Sequence, residues 1–184
     1  MRIGIFAVMD HYPQELARTV SMLYGELLAQ AELADEAGFD SFWVAEHHFH
    51  EYGAMPRPAV FLAAASQRTK RIRLGSAVAV LPLDNPLRIA EDYAMLDVLS
   101  GGRLNLGIGS GYLRHEFDGL SVPYEEKRAR FDEALDIIRQ AFFSYRFSHA
   151  GHYFNFENVQ LNVPPLQKPS PPPWVASLRS EPHW

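Results

Sequence analysis

The amino-acid sequence predicts an α/β fold built on a parallel sheet covered by helices. Apolar runs of strand length alternate with helical stripes four times between residues 3 and 143. The connections between them are short, as in strand–helix units wound in one direction. The third run, Ile72 to Leu81 (IRLGSAVAVL), hardly alternates in polarity, which suits a strand buried on both faces. Two architectures stay open on this order alone: a doubly wound sheet and a (β/α) barrel.

Taken in order, Ile3 to Val8 reads as the first strand, followed by a polar loop with His11 and Pro13. A helix over Ser21 to Ala37 carries Leu27, Ala31 and Ala34 at i, i+4, i+7, and Gly38 stops it. The second strand, Ser41 to Ala45, runs straight into Glu46, His47 and His48. An alanine-rich helix over Ala59 to Ser66 precedes the third run. Pro86 opens the next helix, where its missing N–H costs nothing, and Ser100-Gly101-Gly102 ends it. Leu104 to Ile108 is a fourth strand leading into the glycine-dense turn Gly107 to Gly111. A helix over Tyr124 to Phe143 shows Phe131, Leu135 and Ile138 on one face.

Beyond residue 146 the pattern changes. Residues 147–173 read as an excursion with short strands at HYFNF and VQLNV, then a loop with six prolines between Pro164 and Pro173. Trp174-Val175-Ala176 is expected to begin a fifth strand. The whole chain, 1–184, reads as one partial domain.

Composition narrows the function classes. A net charge of −5 argues against a nucleic-acid partner, whose phosphates need a basic face. The absence of cysteine removes disulfides and thiolate metal sites. No signal-peptide pattern or membrane-length apolar run is seen, so a soluble cytoplasmic protein is expected.

Two stretches carry chemistry. Glu46-His47-His48 sits where a parallel strand meets solvent, the end at which α/β folds place their sites. Alternation along a strand sends His47 and His48 to opposite faces, so they are not expected to share a metal; His48 and His50 could share one only if the strand continued past Glu46. The remaining readings are capping histidines and a histidine that moves a proton. Gly107-Ile-Gly-Ser-Gly111 follows a strand, but Tyr112 stands where a dinucleotide fingerprint needs glycine. It reads either as a tight turn or as a backbone surface for a phosphate or flat ring. Asp97, Ser100 and Arg103 read as an ion pair and cap at the opposite end of the sheet. Tyr12, Trp43, Tyr52 and Tyr112 read as packing residues.

Three ordered blocks carry a resemblance: FDSFWVAEHHF, LGSAVAVLP and NPLRIAEDYAMLDVLSGGRLNLGIGSGY. Together they resemble the bacterial luciferase-like flavin monooxygenase family. The resemblance implies a parallel (β/α) barrel of the TIM type, of which a chain of this length holds about the first half, since a complete barrel takes ~250 residues. It implies reduced FMN, supplied by a separate reductase, acting with oxygen on a small organic substrate. His47 matches the family's catalytic histidine, with Glu46 and His48 orienting it or shaping the pocket. Ala77-Val78 match the place of a non-proline cis peptide under the flavin ring. Gly109, Ser110 and Tyr112 would line the flavin or substrate side. Two departures follow: luciferase carries an arginine at the position of Ser110, and Ser177 to Trp184 do not continue the family pattern. A half barrel leaves strand edges and a core face uncovered, so pairing with a second copy is expected. A shortened, non-catalytic flavin-binding protein of the same fold is the alternative, with a metal hydrolase on a barrel behind it.

Overall fold

A computed structural model describes residues 1–12, 14, 15 and 17–176. The expectations for Pro13 and for Ser177 to Trp184 lie outside the described residues. Strand β1 (Gly4–Ala7) pairs in parallel with β2 (Ser41–Val44), and β2 with β3 (Arg73–Ser76). Strand β5 (Leu104–Gly109) receives β3 at its start and β4 (Ala79–Val80) at its end. Strand β8 (Pro173–Val175) pairs with β5, again in parallel. With helices between successive strands, this is the first half of a parallel (β/α) barrel of the TIM type.

The helices follow from their caps and stripes. Thr19 Oγ1 accepts the Met22 N–H at the start of α1 (Val20–Glu36), which buries Leu23, Leu27, Ala31 and Ala34. Helix α2 (Pro58–Arg68) extends further than its alanines suggest. Asn85 Oδ1 accepts the Leu87 N–H to cap α3 (Pro86–Leu99), with Pro86 in the first turn. Helix α5 (Lys127–Phe143) buries Phe131, Ile137 and Ile138. These stripes close over Phe42, Val44, Leu74, Leu104, Leu106 and Ile108 from the sheet. Each such side chain contributes roughly 1.5–3 kcal/mol on burial.

Among the described residues, the opposite face of the sheet is open. Phe6, Trp43, Arg73, Asn105 and Trp174 line a hollow of about 920 Å³ at its N-terminal end. Trp43 lies edge-on to Trp174, 5.5 Å between ring centroids. Gly75 leaves the room it needs: a Cβ there would fall 2.1 Å from the Trp43 ring.

Several elements differ from the sequence expectation. The run Ile72 to Leu81 is two strands, split at a cis Ala77–Val78 peptide, and it ends in a 3-10 turn, Leu81–Leu83. The first turn of the expected Tyr124 helix is also 3-10, Tyr124–Glu126. A short helix, α4 (Arg114–Gly119), was not foreseen. The excursion forms a hairpin of β6 (Phe147–Ala150) and β7 (Asn155–Val159), nearer the N-terminus than HYFNF and VQLNV. Glu133 causes the shift, because its carboxylate accepts the backbone N–H groups of His152, Tyr153 and Phe154 and makes them the turn.

The corner after α3 is held, but not by an Asp97–Arg103 pair. Asp97 accepts from Gln167 N and Nε2, and Arg103 donates to carbonyls of Ser66, Thr69, Ile72 and Ser100. Ser100 Oγ accepts the Arg103 N–H, as a cap should.

Candidate active site

Glu46, His47 and His48 leave the C-terminal end of β2 as extended chain. They face Ala77–Val78 beyond β3 and Gly109-Ser110 at the end of β5. A cavity of about 510 Å³ opens between them, well within the size of small-molecule sites. Glu46, His47, Ala77, Val78, Gly109, Ser110 and Tyr112 all border it. His48 does not border it; its ring turns away and its Nε2 meets Glu46 Oε1 at 3.1 Å.

The His47 ring is buried and has a partner the sequence did not suggest. Its Nδ1 lies 3.0 Å from Glu116 Oε1, on helix α4. The same oxygen accepts the His48 backbone N–H at 3.0 Å. The hydrogen-bond partner of the His47 ring is Glu116 rather than Glu46 or His48, while Glu46 borders the cavity. The loop after His48 supports this arrangement. His47 N donates to Met55 O, and Gly53 packs so closely that a Cβ would come 2.7 Å from the His47 side chain.

The two carboxyls are shifted in opposite directions. Burial acts to raise Glu116, but the His47 ring and the His48 N–H outweigh it and hold the group below the usual carboxylate range. Glu46 is pushed up by burial, which its bonds to His48 and the Val80 N–H only partly offset. An ionised Glu116 accepts and cannot donate, so His47 Nδ1 carries the proton between them and Nε2 is left as the basic nitrogen.

Tyr52 and Tyr112 are more than packing. Tyr52 lies tilted against His47 at 4.9 Å and Tyr112 edge-on at 6.5 Å, and both border the cavity. Lys127 and Arg128, at the start of α5, also border it. Lys127 Nζ donates to the Tyr124 hydroxyl and sits over that ring, while Arg128 donates to Asp132. Among the described residues no three His, Asp or Glu side chains converge as a metal site would need, and no helix is long and apolar enough to cross a membrane.

With this geometry in place, the luciferase-like monooxygenase family model matches residues 1–182. The chain belongs to that family. An uncharacterised protein of Sinorhizobium fredii is 42% identical over 177 residues, 96% of this chain and 49% of that protein. The oxygenase component of a flavin-dependent trigonelline monooxygenase from Acinetobacter baylyi is 30% identical, over 100% of this chain and 51% of its own. Monooxygenase RslO1 from Streptomyces bottropensis matches in structure with a TM-score of 0.93 at 37% identity, covering 97% of this chain and 54% of that one. The oxygenating constituent of 3,6-diketocamphane monooxygenase from Pseudomonas putida, in complex with FMN, gives a TM-score of 0.86 at 24% identity, a likeness of fold. This luciferase-like chain spans about half the length of the curated relatives it matches.

The cavity suits a flavin. Ala45, Ala77, Val78 and Gly109 offer an apolar surface for a flat ring, with His47 and the two phenols across from it. Val78 and Gly109 pack without a gap, since a Cβ on Gly109 would lie 2.6 Å from Val78. Lys127, Arg128 and the Ser110 hydroxyl border the same space and suit a phosphate.

Proposed function

We propose that this chain carries the flavin-and-oxygen side of a flavin-dependent monooxygenase that oxidises a small organic substrate. Reduced FMN comes from a separate reductase in the cytoplasm, and a second copy of the chain covers the open sheet face. The single observation behind this reading is the His47–Glu116 pair at 3.0 Å, inside a cavity floored by Ala77–Val78 and Gly109.

Bound reduced flavin would supply the electrons for oxygen. The chain's own residues do the rest. Ala77, Val78 and Gly109 hold the ring plane, while Ser110, Lys127 and Arg128 take the phosphate, the two cations making up for serine's lack of charge. Glu116 fixes the His47 tautomer, so Nε2 receives or returns a proton at the ring edge. Tyr52 and Tyr112 shape the substrate side. Glu46 and His48 form a second acid–histidine pair behind the first.

Quenching of FMN fluorescence by the purified chain tests the reading, followed by the rate at which oxygen reoxidises bound photoreduced FMN, compared with free reduced FMN. Quenching with a rate that differs from that of the free flavin and that His47→Ala alters is the expected result. Absence of quenching removes the proposal. Quenching with a rate that His47→Ala leaves unchanged favours the second reading, a non-catalytic flavin-binding protein of the same fold.

A further inference from the structure

Glu46 and Val80 border both the site cavity and a second, smaller crevice on its far side. Of the two, only Glu46 can carry a proton. The crevice encloses about 20 Å³, and one water molecule needs roughly 10–15 Å³ and two to four polar partners. Glu46, Arg57, Asp84, Asp92 and Tyr93 supply those partners. Arg57 forms the outer rim, paired with Asp84 and reaching Asp92 at 3.3 Å, and its side chain is half exposed. The crevice thus brings together a half-exposed Arg57, room for one water and a carboxyl that also borders the cavity.

We propose that Glu46 is a proton inlet: it takes a proton from solvent through the Arg57–Asp84–Asp92 crevice and delivers it to the cavity. The proposal rests on the monooxygenase reading, whose stoichiometry consumes one proton that must reach the site. Reduced flavin anion, oxygen, substrate and one proton give oxidised flavin, oxygenated substrate and water. The O–O bond breaks, one oxygen joins the substrate, and the other leaves as water. One of that water's hydrogens comes from the reduced flavin, the other from Glu46, which regains it through the crevice. A site that excludes water needs a proton route that leaves the cavity dry. The groups facing Glu46 agree with the task. Its bonds run to His48 Nε2 and, at 3.4 Å, the Val80 N–H. Arg57 and Asp92 stand on the solvent side, and Tyr93 is buried in the wall. Burial favours the protonated form of Glu46 and, at the crevice, of Asp92, where neighbouring Asp84 and Glu91 add to it against Arg57.

Infrared spectroscopy of the 184-residue chain at pH 7 tests the first half. A protonated-carboxyl band that disappears in Glu46→Gln is expected. A native spectrum without it, or a band that survives the substitution, overturns the proposal. The second half uses Ala59→Val, which fills the crevice from its wall. Flavin affinity and melting temperature should stay unchanged, while reoxidation of bound reduced FMN slows at least severalfold with a larger solvent isotope effect. An unchanged rate overturns the inlet. Failure to bind FMN at all refutes the monooxygenase reading instead, and the infrared result still decides the state of Glu46.

Discussion

At the scale of single residues, the surroundings shift two carboxyls of the cavity in opposite directions. Burial acts to raise Glu116, but the His47 ring and the His48 N–H lower it overall, while burial raises Glu46. Environments that drive two acids apart in this way separate acceptor from donor roles. His47→Ala is expected to lower oxygenase turnover by roughly 10²–10⁴. Glu116→Gln should lower it by about tenfold or more, because the amide no longer enforces one tautomer. Nitrogen NMR of the His47 ring, showing Nδ1–H in the native chain and a mixture in the variant, checks the cause apart from turnover. The two acids also pull stability in opposite directions with pH. Glu116 is lowered on folding, so it stabilises the native state near neutrality and ceases to as pH falls below roughly 4. Glu46 is raised, so the folded state binds more protons than the unfolded one above that range, and its cost grows as pH rises. Glu46→Gln removes that cost. Urea midpoints should therefore show the variant gaining on the native chain between pH 5 and pH 8, and a constant difference would contradict the sign.

At the scale of elements, acceptors on helices fix where strands and turns begin. Asp35, near the end of α1, accepts the N–H groups of Lys70, Arg71 and Ile72 and so sets the entry to β3. Asp35→Ala leaves three donors without that partner, and a loss of roughly 2–4 kcal/mol is expected in urea unfolding. Much of this layer was legible in the sequence. Stripes such as Leu27, Ala31, Ala34 and punctuation such as Gly38 and Pro86 mark their helices because periodicity and caps are local. Helix α4 was not legible: it has six residues, too few for a stripe, and no capping side chain at Leu113. With it went Glu116, whose partner His47 stands 69 positions away in the chain. The hairpin was misplaced for a similar reason, since Glu133 acts from a neighbouring helix. The stretch Glu46-His47-His48 was legible because it follows a buried strand, Ser41–Val44, whereas the choice of His47 among the three rested on the family resemblance.

At the scale of the whole molecule, the described residues pack one face of the sheet and leave the other bare. Phe6 and Trp174 are 56% and 52% exposed on that bare face, and the outer edges of β1 and β8 have no strand partner among the described residues. Such edges and apolar patches favour association. Sedimentation velocity should show the chain as a dimer at micromolar concentration, with tryptophan emission shifting to the blue as it forms. A lone monomer across that range would end the idea of a second copy.

The meeting of Trp43 with Gly75 has a consequence for how this fold varies. Space beneath the indole belongs jointly to neighbouring strands, so residue sizes at positions 43 and 75 form one quantity rather than two. Gly75→Ala alone is a collision with the ring of Trp43, which removal of that ring relieves. A double-mutant cycle with Trp43→Ala should return a clearly favourable coupling between them. Across related chains the two positions are then expected to change together, a bulky side chain on one strand being exchanged for a bulky one on the next.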